Sequence, residues 1–83
     1  MPADAETGVI PEFDLTDRMR KALRHRGETA IGIAEFLGVT RDAVGRWLNG
    51  TRKPSVQTLR LWALHTGVDY RWLSTGEVSS FEA

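Results

Sequence analysis

The sequence contains no cysteine. That removes disulfides as a source of stability and thiolates as nucleophiles or metal ligands. Histidine is scarce: His25 and His65 stand far apart, without the spacing of a metal site. No nucleophile–base pair stands out, so no enzyme, no cofactor and no small-molecule substrate is expected. No apolar run approaches the roughly 20 residues of a membrane-spanning helix. The opening MPADAETGVIPEF lacks the basic start and apolar stretch of a secretory signal. A soluble, cytoplasmic protein without a membrane partner is expected. No segment alternates with a period of two, so no strand is expected.

Net charge is absent as well: eleven basic side chains balance eleven acidic ones. The balance hides an asymmetry. Residues 1–17 carry five carboxylates and no Lys or Arg, residues 18–71 have a surplus of seven positive charges, and residues 72–83 add two negative ones. Charges farther apart than about 10 Å are largely screened at 0.1 M salt. A polyanion therefore meets the local basic surface of the middle segment.

What is present is helix punctuation, repeated along 83 residues, the length of one small domain. Residues 1–13 read as a flexible acidic arm. Asp14 is a helix cap, with Asp17 three residues on. Leu15, Met19, Ala22 and Leu23 follow at helical spacing, and Gly27 closes the run. Thr29 caps a second helix over 30–37, with Ala30, Ile33, Ala34 and Leu37 on one face. Gly38 ends it, and Thr40 caps a third helix over about 41–49 with an apolar stripe of Val44, Trp47 and Leu48. Ser55 caps a fourth, whose buried side is read as Val56, Leu59, Trp62, Ala63 and Leu64, stopped by Gly67. Asp69 caps a short fifth turn through Tyr70, Trp72 and Leu73 to Gly76. Residues 14–76 thus form an all-α domain, and 77–83 a tail. The three tryptophans are expected in the core and both histidines on the surface. Phe36 lies off the core stripe; either Val9, Ile10 or Phe13 of the arm covers it, or a partner does.

The spacing about Gly38 carries the chemistry. Ala34 is small where two helices cross steeply, Gly38 allows a tight turn, Val39 plugs the corner, and Val44 with Trp47 pins the second helix to the first. This is a helix-turn-helix pattern. It leaves Arg41, Asp42, Gly45, Arg46 and Asn49 pointing outward. Arginine can donate two hydrogen bonds to guanine in the major groove, so Arg41 and Arg46 are candidate base readers. Asp42 either accepts from a cytosine amine or holds Arg46 at i+4. Gly45 costs helix stability relative to Ala. In return it lets the backbone approach a base or phosphate; alternatively, Gly45 and Gly32 are simply tolerated. Arg52, Lys53 and the helix start at Ser55 suit phosphate. Asn49 and Thr51 beside them join that set, as do Arg18 and Arg20 of the first helix.

The stretch AEFLGVTRDAVGRWLNGTRKP (34–54), closed by GVDYRWLSTG (67–76), resembles the lambda-repressor/Cro-type (XRE-like) helix-turn-helix family. It is especially similar to small Cro and immunity-repressor regulators of actinobacterial phages. The resemblance spans roughly residues 14–76. It implies a compact five-helix bundle that binds double-stranded operator DNA, usually as a homodimer, through its third helix. The family's base-reading positions fall on Thr40, Arg41, Asp42, Gly45 and Arg46. Its phosphate positions fall near Thr29 and Ala30 and on Arg52 and Lys53. Two features depart from it: Thr29-Ala30 stand where Gln is common, and the arm is acidic where lambda-type arms are basic. The expected function is sequence-specific transcriptional regulation, with a dimer surface within Tyr70–Phe81. The alternative is an antitoxin, anti-repressor or excision-control protein acting mainly through protein partners.

Overall fold

In a computed structural model, residues 14–78 are described. They form five α-helices: α1 Leu15–Arg26, α2 Ala30–Leu37, α3 Arg41–Leu48, α4 Val56–Thr66 and α5 Tyr70–Thr75. No strand occurs among the described residues. The acidic arm, Val9, Ile10, Phe13 and Phe81 lie outside them.

Each helix starts at the expected cap. Asp14, Thr29, Thr40, Ser55 and Asp69 each accept a hydrogen bond from a backbone N–H in the first turn. This satisfies donors that a helix start leaves unpaired, worth about 1 kcal/mol apiece. At Asp14 the box is reciprocal, because the Asp17 carboxylate accepts in turn from the Asp14 N–H.

The core draws on every helix: Met19, Ala22 and Leu23 from α1, Ile33 and Ala34 from α2, Val44 and Trp47 from α3, Leu59, Trp62 and Ala63 from α4, and Leu73 from α5. Trp62 is wholly buried. It meets Trp47 edge to face at 6.4 Å between ring centroids, and its Nε1–H donates to the Met19 carbonyl at 3.3 Å. One side chain of α4 thereby fixes both α1 and α3.

Several expected core residues are not in the core. Val56 and Leu64 are 57% and 74% exposed. Leu59, Trp62, Ala63 and Thr66 occupy the narrow buried stripe of α4 instead, and Thr66 satisfies its hydroxyl on the Trp62 carbonyl at 2.7 Å. Val39 does not plug the corner: its side chain is partly exposed. The turn is held by backbone bonds, the N–H groups of Gly38 and Val39 both donating to the Ala34 carbonyl. Trp72 is only half-buried, packed against the core.

His65 is not a free surface residue. Its Nε2 lies 2.5 Å from Glu28 Oε2, and its ring stacks on Phe36 at 4.2 Å. The stack covers one side of Phe36, which stays 45% exposed, and the pair of contacts ties α4 to the residues before α2 and to its last turn. The other Glu28 oxygen accepts the Thr29 N–H at 2.8 Å. A side chain at Gly32 would collide with this carboxylate, so that glycine makes room for it.

These contacts give an acid response. The Thr16 hydroxyl and then the Asp17 N–H hold the Asp14 carboxyl below its ordinary value; the His65 contact and then the Thr29 N–H do the same for Glu28. A carboxylate lowered in the folded state contributes stability above its unfolded pKa, which is near 4, and loses that contribution as pH falls through the folded value. Thermal unfolding midpoints are therefore expected to hold from pH 7 to about 5 and to drop below about 4. A Glu28→Gln variant should show a shallower drop. An identical acid profile in that variant would remove Glu28 from the account.

Candidate nucleic-acid interface

Helix α3 separates its chemistry by face. Val44 and Trp47 are buried and Leu48 half-buried, which turns the opposite arc to solvent. At 3.6 residues per turn, Arg41, Gly45 and Asn49 fall on one line, with Asp42 and Arg46 on the adjacent line. Thr40, Arg41, Asp42, Arg46 and Asn49 are exposed and Gly45 is half-exposed. The Thr40 hydroxyl accepts the Ala43 N–H as the cap, at 3.1 Å.

Asp42 takes the intrahelical option. Its Oδ2 lies 3.1 Å from an Arg46 guanidinium nitrogen, with both side chains more than half exposed. Such a pair is worth about 0.3–0.5 kcal/mol and is screened by salt. It therefore orients Arg46 without locking it. Beyond its chain neighbours and the backbone of its own helix, nothing lies within 4 Å of where a Gly45 Cβ would sit. Packing within the domain places no demand for glycine there.

The segment after α3 folds back on that helix. The N–H groups of Thr51 and Arg52 both donate to the Arg46 carbonyl, at 3.0 and 3.2 Å, and Asn49 Oδ1 accepts the Thr51 N–H at 2.9 Å. Thr51, Arg52 and Lys53 are left exposed directly beyond α3, and Ser55 is exposed at the start of α4. The Ser55 hydroxyl caps Thr58 and also donates to its Oγ1. Thr29 is exposed at the start of α2, its hydroxyl accepting from Gly32.

Of the two α1 arginines expected at phosphates, Arg18 is buried and Arg20 is exposed with a second role. Arg18 is buried; its Nε donates to the Leu73 carbonyl at 2.8 Å, with a longer contact to the Ser74 carbonyl. It ties the end of α5 to α1. Gly76 follows at φ 85, and a Cβ there would press on the Arg18 guanidinium at 3.1 Å. Arg20 remains exposed but clasps the Leu48 carbonyl with Nε and a terminal nitrogen, at 3.1 and 2.6 Å. A cation at a helix C-terminus is favourable, and this one positions the end of α3. Side-chain type alone gave no signal for either role, since both depend on which carbonyl the fold brings near.

Arranged this way, α3 offers an exposed donor-rich ridge, followed by two cations and a helix start. The described residues carry all eleven basic side chains and seven acidic ones, a net charge of plus four. No group of three or more possible metal ligands occurs among them, and no helix is long and apolar enough to cross a membrane. A family model described as helix-turn-helix matches residues 19–73. No curated protein and no solved structure matches the chain.

Proposed function

We propose that this chain, which belongs to the XRE-like helix-turn-helix family and is a DNA-binding transcriptional regulator of that type, is a phage repressor or Cro-type protein that reads operator DNA with residues 41–49. Helix α3 enters the major groove of a promoter-operator in the bacterial cytoplasm and occludes polymerase. Arg41 and Arg46 donate to guanine edges, and Gly45 sets how closely the backbone approaches. Arg52, Lys53, the α4 start at Ser55, Asn49, Thr51 and Thr29 serve the phosphates. Arg18, buried on the Leu73 carbonyl, leaves that set; Arg20 stays in it, exposed at the end of α3 while it holds the Leu48 carbonyl. The observation that carries the reading is the ridge of Arg41, Gly45 and Arg46 on a helix whose other side is anchored by Val44 and Trp47.

A homodimer would present two such helices about 34 Å apart on an inverted repeat. The exposed Leu64, beside Val68 and Tyr70 at an open groove between α4 and α5, is apolar surface that a second copy would cover; it meets the expected Tyr70–Phe81 surface only at Tyr70. The protein-partner alternative rests on Phe36, stacked on His65 yet still exposed, and on the acidic arm.

Selection of bound sequences from random duplex DNA, with footprinting, tests this reading. An inverted repeat is expected; no enriched sequence would overturn it. On the selected site, Arg46→Ala should cost about 1–3 kcal/mol and relax preference at one base pair, whereas Lys53→Ala should weaken all sequences alike and flatten the salt slope by about one unit. Equal losses from Arg46→Ala on every sequence would remove it from base reading.

A further inference from the structure

A second concave site lies beside the proposed interface. It is a cleft of about 290 Å³ between the start of α1 and the segment after α3. Leu15, Trp47 and Pro54 line it as buried or half-buried apolar groups; Arg52 and Lys53 line it as exposed cations. Neither cation forms an ion pair among the described residues. Asp14 lines the same cleft, but its carboxylate is occupied as the α1 cap, accepting from Thr16 and from the Asp17 N–H.

Asp14 is also where residues 1–13 join the domain. That segment carries Asp4, Glu6 and Glu12 with no Lys or Arg, interspersed with apolar Val9, Ile10 and Phe13. Thirteen residues reach up to about 45 Å when extended, and the two-residue step from Asp14 to Glu12 spans about 7 Å. Length, point of attachment, charge and apolar content all match an apolar cleft edged by two cations.

We propose that residues 1–13 dock in this cleft, with their carboxylates on Arg52 and Lys53, and compete there with the DNA backbone. The docking is independent of any DNA contact; the competition rests on the reading of Arg52 and Lys53 as phosphate ligands. The arm then acts as an intramolecular phosphate mimic. It disfavours weak, backbone-only encounters and yields where base contacts add affinity.

Because the chain lacks cysteine, a single Thr7→Cys change accepts one nitroxide label on the full-length protein. In the absence of DNA, the label is expected to broaden the amide signals of Gly50, Arg52 and Lys53. That broadening should fall by about half or more when Asp4→Asn, Glu6→Gln and Glu12→Gln neutralise the arm. Equal broadening with charged and neutral arms would overturn the docking. In a separate titration at low salt, the neutral-arm chain should bind non-specific duplex DNA about fivefold more tightly, the scale of two exposed ion pairs. The gain should vanish in an Arg52→Ala/Lys53→Ala background. A gain that persists there would overturn the competition and assign the effect to net charge. Absence of DNA binding by either chain, with charge-dependent broadening intact, would instead sink the DNA reading while supporting the docking.

Discussion

Gly45→Glu is expected to leave the domain folded and to abolish DNA binding. The position is half-exposed, and no neighbour stands where the new Cβ would go. Glycine in an exposed helix interior is about 0.8–1.0 kcal/mol worse than alanine, and glutamate is close to alanine. Thermal stability should therefore rise by roughly 0.5–1 kcal/mol. Between Arg41 and Arg46, the new carboxylate would face bases and phosphates. Placing like charges together at an interface costs several kcal/mol, or more than a hundredfold in affinity. Gly45→Ala separates the two contributions: it should give the same gain in stability with a smaller, purely steric loss of binding. Stability and affinity moving in opposite directions is a pattern that general destabilisation cannot produce. Thermal denaturation and a duplex titration on the same preparations decide the matter; wild-type affinity in the Glu variant would remove the outer face of α3 from the DNA.

Trp62→Ala should have the largest effect on folding. Its side chain has no solvent exposure and spans α1, α3 and α4 through the Met19 carbonyl and the Trp47 ring. Truncating a buried Trp costs about 3–5 kcal/mol, from lost transfer energy and the cavity left behind. A domain this small sits at the low end of the usual 5–15 kcal/mol of stability. The unfolding midpoint should fall on the order of 20 °C. Trp62→Phe keeps most of the volume but loses the Nε1–H donor, so its cost should be near 1–2 kcal/mol. Because Trp47 anchors α3, the Ala variant should also bind DNA more weakly at temperatures where it is still folded. Circular dichroism melts of both variants test this. A drop in midpoint of less than 5 °C for the Ala variant would mean that the core repacks around the gap.

The acid response of Asp14 and Glu28, the separate behaviour of Arg46 and Lys53, and the arm experiment all address groups nearer the surface. Their effects are smaller because water and salt compete for exposed charges.

Helix boundaries were written locally. A cap and a stop lie within a few residues of each helix end, and Asp14, Thr29, Thr40, Ser55 and Asp69 act within their own first turns. The outward set on α3 was equally legible, because Val44 and Trp47 define its inner side by periodicity alone. The buried side of α4 was only partly legible. Its apolar residues extend around more of the helix than the neighbouring helices cover, so Val56 and Leu64 read as core and emerge at the surface.

The sequence by itself determined where each helix begins and ends, and which face of α3 turns outward, since those depend on hydrogen bonds and periodicity within a few residues. Only the tertiary structure decided that Arg18 is buried on the Leu73 carbonyl, that Arg20 clasps the end of α3, and that His65 joins Glu28 and Phe36. Those partners lie 28 to 55 residues apart along the chain. A guanidinium or imidazole has several possible partners, and the one it takes depends on how the helices cross.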